Sequence, residues 1–217
     1  MFSLCSPSQE RSSGSESKRA KLVHYEAGNT PMNVTIVPGA FLSLWKITLW
    51  SISMLNDSQN PADFYKLLVR QAAALTEDEP LVLPNLSNTA ALLGESLSGI
   101  NWSGYYLLKD DILILGPFWG RPACIRIPMG KGVCGTAALK DEIQCVKDVH
   151  AFPGHIACDS RSRSEIVLPI HYAGKVIGVL DIDSPELARF DESDVQGLSE
   201  FVKVLEQNCD WSGFRVG

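Results

Sequence analysis

An α+β domain, with a central antiparallel sheet flanked by N- and C-terminal helices, is what the pattern of this chain predicts. Three observations carry that reading. Helical periodicity fills two windows ahead of residue 98 and one after residue 190. Short β-like runs occupy the space between them. Two pairs of those runs flank turn residues closely enough to read as hairpins.

Asn60-Pro61 supplies an N-cap and a first-turn proline. Phe64, Leu67, Leu68, Ala72 and Leu75 then recur at helical spacing. Residues 76–84 (TEDEPLVLP) interrupt the pattern, and 86–97 resume a helix with Ala90, Leu93 and Leu97 on one face. Strands follow at 102–108 and 112–115 across Lys109-Asp110-Asp111. Two further runs, 123–127 and 142–146, flank a glycine-rich stretch, MGKGVCGTAAL. An irregular loop over 147–164 leads to the second hairpin, 166–171 with 176–183 around Ala173-Gly174-Lys175. A last helix over 191–208 turns Val195, Leu198, Phe201, Val202 and Leu205 inward.

Ahead of this lies a different kind of sequence. Residues 1–29 are rich in Ser, Glu, Lys and Arg, so ordering them costs entropy that little apolar burial offsets, and no order is expected. Residues 34–55 form the most apolar window and touch the lower limit for a membrane span. Lys46 in mid-window, the Pro38-Gly39 interruption and several Ser and Thr count against a span. The window also begins too late for a secretory signal. An extension without a fold role, a targeting or membrane element and a packed helix stay open, and Met54 is an alternative start. The expected organisation is an extension without assigned fold over 1–58 and one domain over 59–210.

Of the 217 residues, 45% are hydrophobic and 20% charged, enough to bury a core without disulfide staples. A net charge of −6 argues against nucleic acid as a partner. Six cysteines with no C-x-x-C pair make no secreted disulfide framework. Cys145 and Cys209 read as small buried hydrophobes, whereas Cys124, Cys134 and Cys158 stand at strand edges or in loops beside Gly, Arg or Asp. Three such thiols suggest redox exchange or a metal. A zinc set from these three with His150 or His155 lacks the close cysteine pairing of structural sites. The loop over 147–164 is longer than an unstructured connection usually is and carries His150, His155, Cys158, Asp159 and two arginines, with Glu165 just beyond, so it is expected to be functional. Alternation along VLDIDS places Asp181 and Asp183 on one strand face.

Together NWSGYYLL, LGPFWGRPACIRIP, GKGVCGTA, DVHAFPGHIACDS, SEIVLPI and GVLDIDSP resemble the free methionine-R-sulfoxide reductase family, whose members are GAF domains. The resemblance runs from about residue 64 to 206, with six motifs in order. It implies a GAF-like domain that reduces free methionine-R-sulfoxide with no cofactor or resident metal. It implies Cys158 as nucleophile, Cys134 as main resolving thiol and Cys124 as a second that relays the disulfide. Trp102 and Tyr106 would build the substrate pocket, with Glu165, Asp181 and Asp183 as its polar contacts. Thioredoxin is the implied reductant, a reducing cytoplasm the implied compartment, defence against oxidative damage the implied purpose, and related GAF proteins form homodimers.

The chemistry of the residues agrees. A thiolate that attacks a sulfoxide sulfur needs an acid to protonate the departing oxygen. Clustered carboxylates in an apolar pocket hold their protons by desolvation and mutual repulsion. Glu165 or Asp183 is the expected donor, with Asp181 nearer the substrate ammonium and Trp102 against its S-methyl group. The rival reading is a ligand-binding GAF sensor, which has no use for three spaced thiols; no output domain is expected after Gly217.

Overall fold

The computed structural model describes residues 60–156 and 159–214, together with the backbone of two strands near the N-terminus. The chain divides into two units, 1–45 and 46–217. In the first, β1 (Lys21–Ala27) and β2 (Thr30–Ile36) pair antiparallel from Lys21 opposite Ile36 to Ala27 opposite Thr30. The sequence reading expects no order before residue 30, and this hairpin departs from it. Val23, Tyr25, Val34 and Ile36 favour strands, and Gly28-Asn29 between them is a dipeptide that hairpin turns accept. The expectations for the rest of residues 1–58 lie outside the described residues. Among the described residues, no helix is long and apolar enough to cross a membrane.

In the second unit, α1 (Pro61–Thr76) starts where expected, with the Asn60 side chain accepting from the Ala62 N–H at 3.0 Å. Its buried line is Tyr65, Leu68, Gln71, Ala72 and Thr76, one residue round from the apolar stripe centred on Phe64, Leu67 and Leu75. Two of the polar residues on that line, Tyr65 and Thr76, are satisfied there, whereas Gln71 Oε1 has no partner. The Tyr65 hydroxyl donates to Asp194 at 2.5 Å, and Thr76 Oγ1 to the Ala72 carbonyl at 3.0 Å. Helix α2 (Val82–Ser96) begins earlier than expected, since Pro84 sits in its first turn, where an N–H has no partner to lose.

The sheet has six antiparallel strands: β3 (Trp102–Lys109), β4 (Ile112–Gly120), β5 (Arg126–Pro128), β6 (Gln144–Val146), β7 (Ser164–Tyr172) and β8 (Lys175–Ser184). Their order is β5-β4-β3-β8-β7-β6, so β3 and β8 are central. Strand β4 runs on to Gly120 through Pro117, with an irregularity in its register opposite Gly104 and Tyr106. The glycine-rich stretch forms a helix, α3 (Gly132–Lys140), that its glycines concealed. Gly135 is required at that position: a Cβ there would strike the Pro128 carbonyl, so only glycine lets α3 lie this close to the end of β5. The last helix, α4 (Glu192–Asn208), opens with a capping box between Asp191 and Asp194.

Alternation along the strands sends side chains to two different environments. Tyr105, Leu107, Ile166, Leu168, Leu180 and Ile182 pack with residues of α1, α2 and α4 into the larger core. Trp102, Tyr106, Val167 and Val179 face the other way, where Cys134, Ala137 and Ala138 of α3 cover them.

Candidate active site

Strand register assembles the site on the α3 side of the sheet. Asp183 of β8 stands opposite Glu165 of β7 and Trp102 of β3, and Asp181 stands opposite Val167 and Gly104. Because β8 is flanked on both sides, Asp181 is buried and Asp183 half-buried rather than set on a solvated strand edge. Helix α3 brings Cys134 down onto them. The Cys134 thiol donates to Glu165 Oε1 at 3.7 Å, and Asp181 lies against both. One ligand atom from each of these three residues lies within 4.8 Å of the others. The second oxygen of Asp181, Oδ1, is buried without a partner.

This crowding decides the protonation states. Burial, reinforced by the neighbouring aspartate charges, pushes Glu165 well above the usual carboxylate range. Burial followed by the charge of Asp181 does the same to Asp183, and burial raises Asp181 to about 7. Burial and the same carboxylates push the Cys134 thiol up as well, so it keeps its proton. At neutral pH the cluster therefore holds several protons and presents acids, not a thiolate.

A small cavity of about 30 Å³ opens on this cluster, lined also by Ile127, Val133, His155 and Ser162. Its rim is ordered by residues the sequence reading did not single out. Asn101 donates to Asp159 at 3.3 Å and to Ser162 at 3.1 Å, and Ser162 lines the cavity with Asp183. Asp159 is gripped by Arg161 at 2.7 Å, which holds its carboxyl far below the usual range. Asp159 lay within a legible motif, whereas Asn101 and Ser162 become visible only when the loop folds back on β3.

The remaining expected residues fall as follows. Trp102 and Tyr106 are buried beside the cluster, and their polar atoms are engaged by backbone carbonyls of Arg121 and Cys124. Cys124 is disulfide-bonded, whereas Cys134, Cys145 and Cys209 are free thiols. Cys158 lies outside the described residues. Among the described residues, the metal-ligating groups gathered with Cys134 are the carboxyls of Glu165 and Asp181 rather than histidines. Cys145, expected to be buried, is exposed because β6 is an edge strand.

The GAF domain family model matches residues 60–208. The chain is 53% identical over 148 residues to the free methionine-R-sulfoxide reductase of Escherichia coli, covering 68% of this chain and 90% of that protein. The chain belongs to the free methionine-R-sulfoxide reductase family. Solved members of that family share its fold. The Staphylococcus aureus fRMsr in complex with substrate is 55% identical with a TM-score of 0.64, covering 66% of this chain and 94% of that one. The Neisseria meningitidis free methionine-R-sulfoxide reductase with its substrate is 47% identical with a TM-score of 0.67, covering 70% and 91%. The six-stranded sheet and its helices are thus a GAF domain.

Proposed function

We propose that this protein reduces free L-methionine (R)-S-oxide to L-methionine through cysteine thiol chemistry, with thioredoxin as the outside reductant. The observation that carries the reading is the group of Glu165, Asp181 and Asp183 around the Cys134 thiol, in a chain of this family. Such a group suits a substrate that brings both a positive charge and an oxygen awaiting a proton. The unpartnered Oδ1 of Asp181 is the natural receiver of the substrate ammonium. Glu165 and Asp183, which hold their protons, donate to the sulfoxide oxygen. Trp102, the cross-strand neighbour of Asp183, supplies the aromatic wall for the S-methyl group.

Cys134 is poorly placed to attack, because its surroundings keep it protonated. We assign the nucleophile to Cys158. Its thiolate attacks the sulfoxide sulfur, the S–O bond breaks as the oxygen passes to Cys158, and methionine leaves. The resulting sulfenic acid condenses with a second thiol to a disulfide, releasing water. The sequence resemblance named Cys134 for that second step and Cys124 as a relay. We take Cys124, which carries the disulfide, as the first resolving thiol, with the free Cys134 in reserve. Thioredoxin then returns both thiols by exchange. Such a cycle belongs in a reducing compartment such as the cytoplasm and serves defence against oxidative damage.

The test is NADPH consumption coupled through thioredoxin and thioredoxin reductase, offering the full chain the R and S epimers separately. Turnover of the R epimer alone is the expected result. A peptide containing methionine sulfoxide should not be turned over, since it lacks the free ammonium that Asp181 would receive. No turnover of either epimer by reduced, folded protein would overturn the reading in favour of a ligand-binding GAF domain.

A further inference from the structure

We infer that Tyr106 is the positioning residue for Cys124: its hydroxyl fixes the backbone of the resolving cysteine and so sets the rate of disulfide closure. The inference rests on the proposed role of Cys124 and goes beyond the substrate-contact role that the family resemblance implies for Tyr106.

Between the end of β4 at Gly120 and the start of β5 at Arg126, the chain leaves the sheet and makes no ladder of its own. Its carbonyls are nevertheless held. Trp102 Nε1 donates to the Arg121 carbonyl at 3.1 Å, Tyr106 Oη to the Cys124 carbonyl at 3.0 Å, and Leu115 N to the Ile125 carbonyl at 3.0 Å. Two of the three donors are ring groups of β3, spaced to lie on the same face. Their rings are fixed in turn. Trp102 stacks on Tyr106 with centroids 5.9 Å apart and on Phe118 at 5.5 Å. Gly104 makes that stack possible, because a Cβ there would collide with Phe118 and the Trp102 ring.

Tyr106 is 1% exposed, and burial followed by the charges of nearby carboxylates raises its phenol, so it stays a donor. It is absent from the described lining of the cavity, which makes the Cys124 carbonyl its assigned polar contact. A cysteine whose carbonyl is held by a side chain of β3 has less backbone freedom left to lose when it closes a disulfide. The condensation then gains the rate that comes from avoided loop ordering. In that step the sulfur of Cys124 forms the S–S bond, the S–O bond of the sulfenic acid breaks, and the oxygen leaves as water with the thiol proton.

The experiment uses the full reduced chain, wild type and Tyr106→Phe, with one equivalent of methionine-R-sulfoxide and no reductant. Released methionine and remaining free thiols are quenched and followed in time. In the wild type the two traces should coincide. In Tyr106→Phe thiol loss should lag methionine release by about 5-fold, the worth of one net hydrogen bond, while a dimedone adduct accumulates on Cys158. An equal slowing of both traces with a raised KM would make Tyr106 a substrate contact and overturn the inference, as would two traces that still coincide at wild-type rate. A second measurement needs no sulfoxide: equilibration of the Cys124 disulfide against a glutathione redox buffer. The disulfide should be about 5-fold easier to reduce in Tyr106→Phe, and an unchanged equilibrium would also overturn the inference. If the wild type forms no methionine, the functional reading fails while this equilibrium still tests the positioning role.

Discussion

The two faces of the sheet come from the same strands and have opposite chemistry. On β8, Leu180 and Ile182 point into the larger core and are fully buried among aliphatic and aromatic side chains. Asp181 and Asp183, one residue away on the same strand, point to the α3 side and meet other carboxyls and a thiol. The strand is the same, and Asp181 is nearly as buried as its apolar neighbours while Asp183 is half-buried. The first pair gains free energy from leaving water, and the second loses it unless protons stay bound. The comparison teaches that the apolar face stabilises the domain while the acidic face is held in an unfavourable arrangement by it, which is the usual relation between scaffold and site.

The largest expected effect separates chemistry from scaffold outright. Cys158→Ser should abolish methionine formation altogether, whereas Cys124→Ser should release about one equivalent of methionine per protein at the wild-type rate and then turn over only slowly, through Cys134, in the thioredoxin-coupled assay. A Cys124→Ser variant with wild-type multiple turnover would return the resolving role to Cys134.

Next in size is the acid. Asp183→Asn should slow the methionine-forming step about 100-fold or more, the scale of a lost general acid, without lowering the melting temperature. A fall in both would mean that Asp183 belongs to the scaffold after all. Its neighbour on the other face should behave in reverse. Ile182→Ala should cost about 2 to 5 kcal/mol of stability in urea unfolding, with kcat within about two-fold of wild type well below the melting point.

The smallest effect is the most diagnostic. The proton on Asp181 is held up to about pH 7 in the fold but is lost near pH 4 in the unfolded chain, so its contribution is full below pH 4 and disappears as pH rises through 7. Asp181→Asn should therefore gain on the wild type as pH rises, the difference in melting temperature widening by about 4 °C or more between pH 5 and pH 8. A wild-type melting temperature that is flat from pH 5 to 8 would show that the cluster is not strained.

Much of this was legible from sequence where local patterns act alone. The hairpin of β7 and β8, the caps at Asn60 and Asp191, and the shared face of Asp181 and Asp183 follow from turn chemistry, side-chain oxygens and two-residue alternation. Two elements were obscured for a common reason. Pro84 and Gly135 read as helix breakers, yet the first occupies a turn that needs no N–H and the second a contact that tolerates no Cβ. Tertiary partners also turned the inward line of α1 by about one residue, keeping Leu68 and Ala72 inside and adding Tyr65, whose hydroxyl meets Asp194 there. In the site, residue types announced the cysteines and acids, but the links from Asn101 to Ser162 and from Tyr106 to Cys124 join positions 61 and 18 residues apart that no local pattern connects.

The strands that end the sheet are its shortest. β5 and β6 are three residues each, and β5 finishes on Pro128, which has no amide hydrogen to offer. A foreign strand docking on either side would find few backbone groups to pair with, so the sheet resists templating further layers of itself and the edge-to-edge route to aggregates is blunted. Any association between copies of this domain must therefore be made by helical and loop surfaces, leaving the central strands and their buried acids undisturbed.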